Sequence, residues 1–423
     1  MALLIKRGEV FYQQQLQKLD ILISDGFIQK IAVDIAPEEH KIIDANGLVV
    51  LPGLVDIHTH LREPGFEYKE TIRTGTQAAA HGGFTTICCM PNLHPVTDSV
   101  ANIQHLTDLI KKHAIIRVLP YAAITIEQKG KELVNMPQLA KYCFAFSDDG
   151  CPVDDQQVMY KAMTIGHEIK KCIVAHAQDS NLSPRGVIHP GVVAQRYHLP
   201  TIQSASEYLQ IMRDCKMAAK TKCQYHACHV SCSESVNFMR HAKKLFFPVS
   251  CEATVHHLLL DQTYVKNWGI YKINPPLRDR NDRLDLVRGL EDGTIDLIVT
   301  DHAPHAENEK KGNFKNSAFG IAGLDYAFGL IYTNFVRTNI ISMKRLVDLM
   351  SFNPHKLFGL KTGVIDVGQP ADLAIFDLNR MFTIKESFIC SKSKLTPFEG
   401  FKCYGVTIYT IVGGKIVYNY NHG

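Results

Sequence analysis

Eight short apolar runs alternate with segments of helical spacing, and this alternation limits the possible folds more than any other feature of the chain. The runs cover residues 54–57, 85–90, 117–122, 143–146, 172–175, 224–228, 247–251 and 296–299. Between them, residues 68–81, 99–113, 155–170, 204–222, 233–244 and 281–292 place apolar residues at helical spacing, and 131–141 does so more weakly. Apolar runs separated by helices predict parallel strands joined by crossover helices. Eight such units predict an α/β fold with a closed (β/α)8 TIM-type barrel. An open doubly wound sheet is the alternative, but no Gly-x-Gly-x-x-Gly turn follows the first run to support it.

Both ends of the chain follow a different pattern. Residues 1–50 alternate apolar and polar side chains around Gly and Asp turns, as in Asp20-Ile21-Leu22-Ile23-Ser24-Asp25-Gly26. The tail repeats this style at 372–377, 407–412 and 415–418, with Gly413-Gly414 between the last two. Antiparallel strands with tight turns are expected here. The two ends are expected to pair into a small β-sandwich-like domain, residues 1–50 plus 358–423, beside a barrel spanning 51–357.

Composition excludes several functional classes. The chain has 423 residues, 46% hydrophobic and 21% charged, which is ordinary globular material. Its 12 cysteines are dispersed. The opening Ala2-Leu3-Leu4-Ile5 is interrupted by Lys6 and Arg7, too short for a secretory apolar region. No stretch approaches the ~18 apolar residues of a membrane span. A reduced, cytoplasmic protein is expected, with core cysteines such as Cys88 and Cys89. The net charge of +4 is mild. The absence of Lys/Arg runs or aromatic-basic interleaving argues against nucleic acid as a partner.

Metal-type side chains stand at the ends of the apolar runs. Active sites of such barrels form at the carboxyl ends of the strands. His58 and His60 follow the first run, Asp148 and Asp149 the fourth, His176 the fifth, His229 the sixth and Asp301 the eighth. Residues two apart on a strand point to one side, so His58 and His60 can grip one ion from a single strand end. Imidazole nitrogens with carboxylate oxygens suit zinc. Four His and two Asp exceed one tetrahedral site, and two ions sharing a bridging carboxylate is the economical arrangement. Each residue also has a structural reading: a lone strand-end His is often a hydrogen-bonded core residue, and Asp-Asp-Gly is often a turn. His226, Cys228, His229 and Cys232 offer a local zinc knot as a further reading, but no second ligand pair lies at a matching spacing.

The segment Asp56-Ile57-His58-Thr59-His60-Leu61-Arg62-Glu63-Pro64-Gly65 resembles the signature of the dihydroorotases, of the bacterial long-chain type, in the amidohydrolase superfamily. Gly82-Gly83-Phe84-Thr85-Thr86, Met90-Pro91-Asn92, Phe146-Ser147-Asp148-Asp149-Gly150 and Asn274-Pro275-Pro276-Leu277-Arg278 resemble that family too. So do Thr300-Asp301-His302-Ala303-Pro304-His305 and Ser391-Lys392-Ser393-Lys394-Leu395-Thr396-Pro397-Phe398. The likeness runs from about residue 45 to the C-terminus. It implies zinc-dependent, reversible cyclisation of N-carbamoyl-L-aspartate to L-dihydroorotate plus water, in pyrimidine biosynthesis. It also implies the site. His58, His60 and Asp301 would hold one zinc, and His176 and His229 a second. Asp149 would bridge them in place of the carboxylated Lys found in many superfamily members; Cys143-Phe144-Ala145-Phe146 contains no Lys. Asp301 would carry the proton. Arg62, Asn92 and His305 would clamp the substrate carboxylate, and Asn274 would contact its ring. Asp148 is expected in a turn and His302 in a structural role, while Gly320-Ile321-Ala322-Gly323 would bring backbone close to the ring. A homodimer is expected, with aspartate carbamoyltransferase as a candidate partner. The competing readings are a hydantoinase or allantoinase, a non-catalytic dihydroorotase-like subunit of that carbamoyltransferase, and a structural zinc protein.

Overall fold

The computed structural model describes residues 2–420. Residue 1 and residues 421–423, the outermost positions of the expected β domain, lie outside the described residues. The first five strands are β1 (Leu3–Tyr12), β2 (Gln15–Ser24), β3 (Phe27–Ala32), β4 (Lys41–Asp44) and β5 (Val49–Pro52). Eight strands follow, seven on the apolar runs and one, of two residues, starting at the last residue of the fourth run. They are β6 (Leu54–Thr59), β7 (Phe84–Cys89), β8 (Arg117–Pro120), β9 (Phe146–Ser147), β10 (Ile173–Ala175), β11 (Tyr225–Ala227), β12 (Val249–Thr254) and β13 (Leu297–Val299). The chain closes with β14 (Leu373–Thr383), β15 (Lys402–Val412) and β16 (Lys415–Asn419).

β6, β7 and β8 form one parallel sheet, and β9 to β13 form a second, both in chain order. Isolated parallel bridges, Ala122 to Phe146 and Thr59 to His302, join the edges of the two sheets. Helices Ile72–His81, Val100–His113, Gln156–Glu168, Ser204–Thr221, Ser233–Lys244 and Arg280–Asp292 lie between strands where the spacing predicts them. Four of them start at side-chain caps: Thr71, Ser99, Asp155 and Asp279 accept first-turn amide hydrogens. The weaker 131–141 segment contracts to a single turn, Met136–Leu139.

Side chains alternate along the parallel strands as a two-residue period requires. Cys88, Val174, Leu297 and Val299 join an inner cluster with Val55, Ile57 and Tyr121. Ile87, Cys89, Ile173, Ala175 and Ile298 join the larger core under the helices. Strands buried on both faces read as continuous apolar runs, which is why the sequence shows runs there and alternation at its ends.

The chain ends share one eight-stranded sheet ordered β16-β15-β14-β5-β1-β2-β3, with β4 also paired to β1. The link between the ends is the antiparallel pair of β5 with β14, Leu51 opposite Ala374. This sheet carries its own apolar cluster, including Ile5, Val10, Ile21, Val50, Leu373 and Ile411. β5 runs to Pro52, past residue 50, because its backbone pairs with Leu373 there. Helix Asn353–Phe358 runs one residue past 357. Among the described residues no helix is long and apolar enough to cross a membrane.

Candidate metal centre

The six metal-type residues meet at the carboxyl ends of the parallel strands, and all are buried. β6 supplies two of them through an irregularity. Val55 and Ile57 join the inner cluster, yet His58 and His60 also reach the inner mouth. The register of β6 against β7 shifts between Asp56 and Thr59, which changes the phase of the alternation at the strand end.

Asp149 stands between two imidazole pairs. Its Oδ1 lies 3.3 Å from His58 Nε2, and its Oδ2 lies 3.4 Å from His60 Nε2. From the other side, His229 Nε2 and His176 Nδ1 approach Oδ1 at 3.5 and 3.9 Å. The two nitrogens of that second pair are 2.9 Å apart. Asp301 Oδ1 is 3.0 Å from His60 Nε2 and 3.5 Å from His58 Nε2. Three non-glycine residues at this mouth have positive φ: Arg62 (65°), His229 (29°) and Asp301 (46°). Such conformations cost about 1–3 kcal/mol each and concentrate at functional sites.

Atoms are left over. His58 Nε2 and Asp149 Oδ1 are buried and have no hydrogen-bond partner. Leaving a buried polar atom unpaired costs about 1–3 kcal/mol, so both point to a group that the chain does not supply. Two sets of groups have ligand-type atoms within 4.8 Å of one another: His58, His60 and Asp149, and Asp149, His176 and His229. Asp149 is common to both. The donor set, imidazole nitrogen with carboxylate oxygen, fits a divalent metal ion.

The electrostatics agree with that fit. Burial pushes Asp149 up, but the His58 and His60 charges hold it well below the usual carboxylate range. Burial likewise opposes ionisation of Asp301, while the charges of His58 and His60 and a His60 hydrogen bond hold it low. Burial would lower His58, but the charges of Asp149 and Glu252 lift it well above an ordinary histidine. Burial and the neighbouring His229 push His176 down to about 4.

A further layer orients these rings, and the sequence did not disclose it. Glu252 on β12 sits 2.5 Å from His58 Nδ1 and 3.0 Å from His226 Nε2, and it accepts the His229 amide hydrogen. The only signal for it was a carboxylate directly after an apolar run. Metal-binding histidines characteristically give their second ring nitrogen to such an acceptor. Gln178 Oε1 is 3.1 Å from His176 Nε2, which leaves Nδ1 facing Asp149. Asp56 accepts from the amides of His58 and Thr300 and from the Thr300 hydroxyl, tying β6 to β13.

The remaining site residues are placed as follows. Extension past His60 predicts the rim position of Arg62, but its backbone is left-handed rather than extended. The guanidinium still reaches the rim, where Nε donates to Pro304 O at 3.1 Å and Nη2 lies 3.4 Å from His305 Nε2. His305 Nε2 donates to Phe319 O at 2.7 Å, and burial, Arg62 and Lys69 push the ring down to about 3, so it is neutral. Asn92 Oδ1 is 2.9 Å from His60 Nδ1. Asn274 Nδ2 donates to Gln178 Oε1 at 2.8 Å and lies 3.3 Å from His176 Nε2. Gly320 has φ +118, and a Cβ there would meet the Ala303 Cβ at 2.7 Å, so the backbone passes close only because it is glycine. The Asp148 side chain takes the amides of Ile124 and Thr125, and its carbonyl accepts the Cys151 amide hydrogen in the turn expected there. His302 Nδ1 accepts the Gly323 amide hydrogen. The four residues of the local zinc knot do not form a metal-type group among the described residues. His226 is held by Ser250 and Glu252, and Cys232 lies against Glu207 and Ser235.

Parallel α/β sheets with a separate mixed sheet, and a buried imidazole–carboxylate mouth at the strand ends, define an α/β protein with a candidate metal centre at its strand ends. The chain superposes on an L-hydantoinase from Arthrobacter aurescens with a TM-score of 0.88, covering 99% of this chain and 96% of that one at 24% identity. A D-hydantoinase from a Thermus species gives 0.84, covering 99% and 95% at 27% identity. The family model described as dihydro-orotase-like matches residues 47–235. A dihydroorotase of Lactobacillus leichmannii is 44% identical over 424 residues, covering 100% of this chain and 99% of the relative. One from Staphylococcus aureus is 47% identical over 416 residues, covering 98% of each. The chain belongs to the dihydroorotase family, within the amidohydrolase superfamily.

Proposed function

We propose that the chain catalyses the reversible cyclisation of N-carbamoyl-L-aspartate to L-dihydroorotate with release of water, a step of de novo pyrimidine (UMP) synthesis. The observation that carries this reading is Asp149 shared between two imidazole pairs, in a chain 44% and 47% identical to dihydroorotases over almost its whole length. The donors suit two zinc ions, one at His58, His60 and Asp301 and one at His176 and His229, with Asp149 between them. Bound zinc lowers the pKa of a water from 15.7 to about 7 and polarises a carbonyl oxygen.

The chain's own residues supply the rest. Asp301 is the proton carrier. In hydrolysis it takes the proton of the attacking water and delivers it to the leaving ring nitrogen. In cyclisation it first removes the proton of the ureido nitrogen. Its left-handed backbone fixes the carboxylate against His60. Arg62 holds the substrate carboxylate that does not react, through the paired hydrogen bonds a planar guanidinium can make. Asn92 completes that clamp, His305 stands against the Arg62 guanidinium and positions it, and Asn274 contacts the ring beside His176. The eight parallel strands are read as a closed barrel over 51–357, supported by the bridges at both seams and by the packed inner cluster. Residues 1–50 and 358–423 are read as the β domain, supported by the shared sheet.

The test is zinc per chain measured with turnover of dihydroorotate, hydantoin and allantoin on one sample. Dihydroorotate should be the preferred substrate. Faster turnover of hydantoin or allantoin would replace this reading with a related amidohydrolase. Full zinc loading without turnover would replace it with a non-catalytic subunit.

A further inference from the structure

Away from the metal-type mouth, three reactive side chains converge from distant segments. His81 ends helix Ile72–His81, Asp325 lies in the turn Leu324–Tyr326, and Cys390 follows the turn Glu386–Phe388. Their ring nitrogen, carboxylate oxygen and sulfur lie within 4.8 Å of one another. His81 Nδ1 is 2.9 Å from Asp325 Oδ1, and the same carboxylate oxygen accepts the Cys390 amide hydrogen at 2.6 Å. The rings of Phe388 and Tyr418 flank the imidazole at 4.5 and 5.3 Å. A thiol beside an imidazole that a buried carboxylate orients is the arrangement that activates a sulfur nucleophile. Burial would lower His81, but hydrogen bonds to Asp325 and Cys390 lift it to about 9, so it carries a proton at neutral pH. Access completes the set: among the free cysteines of the described residues, only Cys151 and Cys390 are exposed.

We propose that Cys390, with His81 and Asp325, forms a modification site at which hydrogen peroxide oxidises the thiol. The Cys390 sulfur, once deprotonated, attacks one peroxide oxygen, the O–O bond breaks, and the departing hydroxide takes the His81 proton to leave as water. The sulfur is oxidised by two electrons to sulfenic acid, the peroxide is reduced, and His81 is left neutral. The adduct would form at the foot of a segment that reaches the rim. Ser391 donates its hydroxyl hydrogen to Glu70, and Ser393 Oγ accepts the His305 amide hydrogen.

Limiting iodoacetamide on the full-length protein at neutral pH, followed by peptide mass spectrometry, measures the rate at each cysteine. Cys390 should react at least about tenfold faster than Cys151. Peroxide followed by dimedone should tag Cys390 as sulfenic acid. His81→Gln and, as a second variant, Asp325→Asn should each slow Cys390 about tenfold while the far-ultraviolet circular dichroism stays unchanged. The proposal is overturned if Cys390 in the unmodified chain reacts no faster than Cys151, or if both variants leave its rate unchanged. The first criterion stands even if neither variant folds.

Discussion

Two buried polar clusters lie on neighbouring parts of this molecule and settle their charges in opposite ways. Around Glu207, every acceptor is filled from within the chain. Oε1 accepts from the Ser231 amide and the Ser235 hydroxyl at 2.9 and 2.7 Å, and Oε2 from the Ser231 hydroxyl and from Arg278. Arg278 gives its other donors to Ser231 Oγ and Ile202 O. Around Asp149, an equally buried carboxylate faces four imidazoles, and two of the atoms at its centre have no partner. The contrast separates two kinds of buried charge. The Glu207 cluster is complete and joins helix Ser204–Thr221 to the loops after β11 and before helix Arg280–Asp292. The Asp149 cluster is complete only with a guest, and the guest its donors suit is a metal.

That contrast can be broken from either side. The largest effect is expected from Asp301→Asn, which keeps the shape of the side chain and removes its proton chemistry. Turnover should fall about 10²–10⁴-fold in both directions with the thermal midpoint little changed; near-normal turnover would remove Asp301 from the proton path. Glu207→Ala strands Arg278 as an unpaired buried charge, so unfolding by denaturant should show a loss of about 3–5 kcal/mol. Zinc per folded chain should stay the same, and a loss of zinc at unchanged stability would erase the distinction between the clusters. Arg62→Met should lower kcat/KM about 10–100-fold, chiefly through KM, since hydrogen bonds to a charged group are worth about 1.5–3 kcal/mol. Its zinc content should be normal, and metal loss would show that Arg62 belongs to the ligand shell. Glu252→Gln should weaken zinc binding about 10–100-fold, as loss of an acceptor behind a ligand histidine does.

The smallest effect is graded by pH. The acids Asp149 and Glu252 hold His58 protonated well above the ordinary histidine range. A zinc ion held by His58 would displace that proton, so the metal-free form would bind more protons than the metal-bound form. Zinc affinity should therefore rise with pH, by about tenfold per unit for each proton released. Competition titrations between pH 6.5 and 8.5 check the sign, and a flat response would mean His58 is already neutral.

Much of this was legible because burial on two faces writes itself into sequence as unbroken apolar runs. Seven of the eight runs carry a strand, the fourth ends where β9 begins, and the histidines and acids after them share one rim. Helices were legible through apolar spacing alone, and the caps at Thr71, Ser99 and Asp279, whose oxygens accept amides a few residues on, came with the structure. Other features left no local trace. The alternation argument for His58 and His60 assumes a regular strand end, whereas β6 shifts register there. Arg62 reaches the rim through a left-handed turn that spacing does not encode. Glu252 matters because of a partner 194 residues away. The helical stretches after residue 326 are interrupted by wider π turns at Tyr332–Val336 and Asp348–Phe352, which spoil the 3.6-residue period.

The central claim is that Asp149 joins two metal ions. An anomalous difference map from zinc-loaded crystals, recorded at the zinc absorption edge, tests it most directly. Two peaks about 3.5–4 Å apart, with the Asp149 carboxylate between them, are expected. One of these should lie against His58, His60 and Asp301 and the other against His176 and His229. A single peak, or peaks remote from Asp149, would contradict the account.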